Sequence, residues 1–185
     1  MGKISGPDRV KMWNTFFKLA WEEAKIVFEK DSSTSCRMTF KPVGGVLSDE
    51  DFHVLATLTL CNLAIEARAN HLIDELFEKD IISKDEANAA QYLPPQNKWA
   101  LLPKLAGKRI KIDFSRPPHS AISQICALRN DIMHVRYFNI RKKLPKPKPL
   151  LSYFKNFVIA MEDMNVILGR ISKPRKAVLT IGSLK

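Results

Sequence analysis

At 185 residues the chain is long enough for one domain with a sizeable core and cramped for two. With 45% hydrophobic and 26% charged residues it has a globular composition, which excludes a disordered or fibrous chain. The net charge of +11 is unevenly spread: residues 1–102 carry 12 Lys/Arg against 15 Asp/Glu, residues 103–150 carry 12 against 2, and residues 151–185 carry 6 against 2. A positive field concentrated in this way attracts polyanions. Nucleic acid is the expected partner, because the middle segment lacks the basic amphipathic pattern of a membrane-surface helix.

No apolar run approaches the roughly 20 residues needed to cross a bilayer. The N-terminal MGKISGPDRVKMW has neither an apolar core nor a cleavage site, and predicts no secretory signal. Three cysteines (Cys36, Cys61, Cys126) without paired spacing form neither a disulfide framework nor a metal knuckle. A reducing cytoplasm is the expected compartment, with no membrane partner.

Helical spacing dominates the chain. Between Asp8 and Lys30, Val10, Trp13, Phe17, Ala20, Trp21, Ala24, Val27 and Phe28 recur at three- and four-residue intervals. DSSTS at 31–35 and PVGG at 42–45 interrupt the pattern, with CRMTF extended between them. Ser48 and Asp51 form a capping box that opens a long helix to about Glu78, and Ser83 with Glu86 opens a short one. PQNKWALLPKLAG predicts a helix around Trp99 that stops at Pro103 or Gly107, followed by a basic, partly extended loop, GKRIKIDFSRPP. Ala121, Ile125, Leu128, Ile132 and Val135 mark a further helix from about Pro118 to Val135. RKKLPKPKP is expected to be a stiff, extended linker, since alternating prolines favour polyproline II. LLSYFKNFVIAMEDMNVILGRI forms a last helix, and VLTI in the tail is a candidate short strand. The predicted architecture is an all-α bundle in one domain, with tryptophans as core anchors.

One helical stretch is unusual. ALRNDIMHVRY, residues 127–137, sets Arg129, Asn130, Asp131 and His134 among apolar neighbours. Positions five apart diverge by roughly 140° around a helix, so Arg129 and His134 flank the apolar stripe instead of stacking as zinc ligands would. Arginine supplies a permanent planar charge suited to phosphate, and histidine a proton acceptor and donor near neutral pH. These groups suffice to cleave RNA through its own 2′-hydroxyl without a metal. Taken singly, each residue has a plainer reading. Arg129 can bridge to Asp131 or a neighbouring helix, His134 can be a hydrogen-bonded core histidine, and Glu66 with Asn70 can be an ordinary i, i+4 pair. His53, His71 and His119 lack a partner cluster, so no metal is expected.

The order Arg129-Asn130-x-x-x-His134 resembles the R-x-x-x-x-H signature of HEPN domains. AIEARANHLIDEL at 64–76 is similar to the family's long earlier helix, in which a Glu and an Asn one turn later face the motif, here Glu66 and Asn70. KWALLPKLAG, a proline-containing loop, the motif helix and a closing helix complete a resemblance over residues 48–170. Residues 1–47 stand as an N-terminal helix and loop extension, and 171–185 as a tail. The resemblance implies a HEPN-like helical bundle and a metal-independent endoribonuclease, a toxin or defence effector, working without a cofactor as a homodimer. Arg129 would bind the scissile phosphate, His134 would act as general base or acid, and Asn130 would orient the phosphate or the histidine, with Glu66 and Asn70 in support. Arg141, Lys142 and Lys143 would track the RNA backbone. An antitoxin protein is a further implied partner, although Tyr137 falls one place later than the tyrosine of the subgroup paired with nucleotidyltransferase antitoxins. Two other functions remain open: a non-catalytic HEPN module that binds RNA or a partner, and a helical scaffold whose basic segment binds an acidic protein.

Overall fold

The computed structural model describes residues 6–29, 48–110, 112–133 and 144–169. Among these residues the chain is all-α, with six helices and no strand: α1 (Gly6–Glu29), α2 (Asp49–Glu78), α3 (Lys84–Gln91), α4 (Pro95–Leu105), α5 (His119–Met133) and α6 (Pro147–Ile167). CRMTF and VLTI, the two segments expected to be extended, lie outside the described residues. None of the described helices is long and apolar enough to cross a membrane.

The long α2 touches every other helix and forms the axis of the bundle. Its start follows from the capping box: Asp51 N donates to Ser48 Oγ at 3.1 Å, and Ser48 N donates back to Asp51 Oδ2 at 2.9 Å. Ser83 and Glu86 cap α3 in the same manner. Two bonds from Ser83 hold the Glu86 carboxyl below its ordinary range. α1 lies along α2, where the Glu23 carboxylate meets His53 Nδ1 at 2.7 Å. The apolar stripe of α1 also meets α6, with Trp21 stacked on Phe154 at 5.5 Å and Phe17 5.9 Å from Phe157.

Two segments depart from the sequence reading. The second half of the expected polyproline linker is helical, because α6 begins at Pro147 and includes Pro149. Proline suits that place: first-turn N–H groups have no partner within the helix, and the ring presets a helical φ. The basic loop after α4 contains no strand among its described residues; Ser115 instead donates from both N and Oγ to Asp113 Oδ1, closing a turn. α4 runs through Pro103 and ends at Gly107, the second of its two expected stops.

Helix ends show why. Gly107 adopts φ +69, and the following N–H, from Lys108, returns to Pro103 O at 2.8 Å. This is the left-handed Schellman termination. α2 ends in the same geometry without a glycine: Asp80 has φ 53, and Ile81 N donates to Leu76 O at 2.9 Å. A left-handed non-glycine residue costs energy that glycine does not. Asp80→Gly should therefore stabilise the fold by about 1 kcal/mol, seen as a higher denaturant midpoint at unchanged slope. A lowered midpoint would show that the Asp80 side chain contributes more than its backbone costs.

Candidate functional site

Glu66 and Asn70 stand one turn apart on α2, bordering the buried row Ile65, Ala69 and Ile73. Opposite them, α4 carries Trp99 and Leu102 into the core, and the indole Nε1 donates to Ile65 O at 2.9 Å. Docking that tryptophan carries its neighbour inward. Lys98 is only 1% exposed, and its ammonium donates to Glu66 Oε1 at 3.1 Å and to Asn70 Oδ1 at 2.8 Å. Glu66 is 40% exposed, so the pair runs from the interior to the surface.

A third helix completes the cluster. His119, Ser123, Cys126 and Asn130 recur along α5 at helical spacing, with Arg129 on their flank. His119 is buried, its Nε2 3.1 Å from Gln96 O and its Nδ1 3.2 Å from Ser123 Oγ. A carbonyl can only accept, so Nε2 carries a proton, and in the singly protonated ring Nδ1 accepts from the Ser123 hydroxyl. Cys126 follows two turns on. Burial and the nearby Glu66 carboxylate push its thiol up to about 12, opposed by the Gln96 backbone N–H and the Arg129 guanidinium. The thiol thus lies within the electrostatic reach of both Glu66 from α2 and Arg129 from α5.

Arg129 is half-buried. Its Nη1 donates to Asn130 Oδ1 at 3.0 Å, while its buried Nε has no hydrogen-bond partner among the described residues. The Gln96 side-chain oxygen is likewise buried without a partner. Asn130 therefore orients the arginine. His134, Arg141, Lys142, Lys143 and Tyr137 lie outside the described residues. Of the residues expected from sequence, the structure joins Glu66 and Asn70 through Lys98 on one side and Arg129 and Asn130 to each other on α5.

Sequence reasoning missed Lys98, Gln96, His119 and Cys126 as members of the cluster. A signal for Lys98 existed: it precedes Leu102 by four residues, which places it on the buried stripe of α4. No three His, Cys, Asp or Glu side chains among the described residues gather as metal ligands. A separate cleft of about 410 Å³, lined by Leu72, Leu76, Leu102, Ala106, Lys79 and Lys108, holds none of the predicted site residues. No protein-family model, curated protein or solved structure matches the chain.

The thiol reports on the charges around it. Burial holds the Cys126 thiol protonated and shielded from solvent, so iodoacetamide should modify it far more slowly in the native protein than in the unfolded one. Glu66→Gln removes a charge that opposes the thiolate and should speed the reaction, whereas Arg129→Gln should slow it. Mass spectrometry of the Cys126 peptide distinguishes these outcomes, and equal rates in all three proteins would mean that neither charge reaches the thiol.

Proposed function

We propose that this chain is a HEPN-type endoribonuclease, a cytoplasmic toxin or defence effector that cleaves RNA by attack of the 2′-hydroxyl on the adjacent phosphorus. The observation that carries the reading is the buried Nε of Arg129, a charged donor without an acceptor among the described residues, on a half-buried guanidinium. Buried donors in native proteins are almost always satisfied, and a phosphate oxygen is the acceptor an arginine fork fits best. The pairing of Glu66 and Asn70 through Lys98, on the helix that packs against α5, supports the same reading, because the HEPN resemblance sets the Glu and Asn facing the motif.

In this mechanism Arg129, steered by Asn130, binds the scissile phosphate and balances the charge that grows on its oxygens. His134 takes the 2′-hydroxyl proton; the 2′-oxygen bonds to phosphorus, and the 5′-oxygen leaves and is protonated. The products are a 2′,3′-cyclic phosphate and a 5′-hydroxyl end. Arg141, Lys142 and Lys143 supply backbone contacts that are independent of sequence. A second copy completes the groove. Met133, 55% exposed at the end of α5, is an apolar side chain available to an isologous interface, which Val135 and Tyr137 extend.

Labelled RNA incubated with the protein in EDTA should be cut to a cyclic-phosphate product, and a 2′-deoxy substitution at the cut site should block cleavage. His134→Ala and Arg129→Ala should each lower the rate about 100-fold or more. Cleavage abolished by chelation and restored by a divalent ion would sink the mechanism. Binding without cleavage would instead establish a non-catalytic RNA-binding module.

Assembly and charge give independent tests. Met133→Asp should shift the protein toward monomer in sedimentation and reduce activity with it, whereas a monomer cleaving at the full specific rate would refute the shared groove. Neutralising Arg141, Lys142 and Lys143 together should flatten the salt dependence of single-strand binding by about 2 units of slope.

A further inference from the structure

The loop between α4 and α5 combines positive charge with an exposed ring. From 104 to 116 the sequence holds Lys104, Lys108, Arg109, Lys111 and Arg116 against a single acid, Asp113. That acid is occupied by its own turn. Asp113 Oδ1 accepts from Ser115 N at 2.9 Å and from Ser115 Oγ at 2.6 Å. Asp113 Oδ2 lies 3.2 Å from Arg116 Nε, and Arg116 N donates to Asp113 O at 3.2 Å. These contacts close the turn around Phe114. Its ring meets the His119 imidazole edge-to-face with centroids 4.5 Å apart, yet Phe114 is 61% exposed. His119 is buried and bonded to Gln96 O and Ser123 Oγ, so the phenyl ring rests on a fixed support.

Folding gives little reason to hold a ring there, since one so exposed recovers only part of its burial energy. Phe52 is equally exposed, but it stands among Asp49, Glu50 and Asp51 in the first turn of α2, where a polyanion is repelled. Phe114 stands among cations. An aromatic ring beside cations suits an unpaired strand, because the ring stacks on a base while the charges follow the phosphates. An anionic membrane fits less well: Ile110 and Phe114 are the loop's exposed large apolar side chains among the described residues, and Asp113 and Ser115 flank the ring. We infer that Phe114 is a stacking platform for an unpaired RNA base, with the loop's exposed cations on the neighbouring phosphates. Its support, His119, and Arg129 stand ten residues apart on α5, about 15 Å along the axis and roughly 80° apart around it. A stacked strand covers that distance in about four nucleotides at ~3.4 Å each. The platform therefore grips the strand away from the scissile bond and serves affinity, not the chemical step. This inference rests on the ribonuclease reading for its substrate.

The test uses the full chain with Phe114→Ala, Phe114→Leu and Phe114→Trp, each first checked for helix content and thermal midpoint. The probe is labelled oligoadenylate, a single strand whose bases stack well. Phe114→Ala should weaken its binding about 10-fold, the scale of one lost base–ring stack. Phe114→Leu keeps an apolar side chain against His119 but offers no ring, and should lose as much. Phe114→Trp should bind at least as tightly as the wild type. The salt dependence separates stacking from charge: its slope should be the same in Phe114→Ala as in the wild type, whereas Arg109→Gln should lower it by about 0.7. In cleavage assays the loss in Phe114→Ala should fall on KM and not on kcat. Wild-type affinity in Phe114→Ala, or in Phe114→Leu, would overturn the inference and leave the ribonuclease reading standing. So would phosphatidylserine vesicles that bind the wild type and not Phe114→Ala while oligoadenylate binds both alike, which would assign the loop to a membrane surface. A wild-type protein that neither binds nor cleaves RNA would overturn both readings.

Discussion

The buried Lys98 ammonium is the constraint around which the site is arranged. An 11-residue helix such as α4 is marginal by itself and takes its place from what it docks against. Adjacent residues supply the docking: Trp99 gives its indole N–H to Ile65 O, and Lys98 reaches Glu66 and Asn70. Three hydrogen bonds from two neighbours to little more than one turn of α2 fix both the rotation and the height of α4. Gln96, two residues earlier, is then held with its carbonyl at His119 and its amide at Cys126. α5 is registered in turn, and Arg129 is placed one turn beyond the thiol. Removing the cation would leave Glu66 and Asn70 without their shared donor and loosen the positional link between α2 and α5.

Charge has a comparable logic at longer range. Lys104, Lys108, Arg109 and Arg116 lie exposed at the end of α4 and in the loop leading to α5. Arg116 is partly neutralised by Asp113 at 3.2 Å. Exposed cations of this kind contribute little to stability because water and salt screen them, yet they add to the field an approaching polyanion meets. Arg129 differs from them in being half-buried and tied to Asn130, so its geometry is fixed before any anion arrives. Water and salt thus screen the surface charges, whereas the half-buried guanidinium is screened less.

Signals that act within one helix were readable from sequence. The capping boxes at Ser48 and Ser83 and the three-four stripe of α1 each depend on residues no more than four apart, and the structure places them where the pattern does. Trp99 was legible as a core anchor for the same reason. What failed depended on position within an element or on another helix. Pro147 and Pro149 read as extended because a proline-rich run gives no hint that its second ring will sit at the start of a helix. Asp80 gave no sign of the left-handed cap that glycine announces at Gly107. Spacing puts Lys98 on the buried stripe of α4, but nothing within α4 shows that α2 brings a carboxylate and an amide to its tip. Glu66 and Asn70 were found through a resemblance, and their common partner was not, since the pair itself contains no trace of α4.

Buried polar atoms without a hydrogen bond among the described residues fall in both the site and the scaffold, and their surroundings differ. Trp13 Nε1 is also buried without a hydrogen-bond partner among the described residues, but it belongs to a neutral indole whose ring carries the Arg68 guanidinium at 4.8 Å. The ring is compensated through its face, and the N–H is a modest loss. Arg129 Nε has no comparable compensation in the described structure, and Gln96 adds an unpartnered acceptor on the helix that also contacts Cys126. Each such group costs about 1–3 kcal/mol, more when it is charged. That is a large fraction of the 5–15 kcal/mol typical of a whole domain. Among the described residues the unpartnered Arg129 Nε and Gln96 oxygen and the buried Lys98–Glu66 pair stand on α5, α4 and α2, so desolvated polar groups meet where these three helices converge.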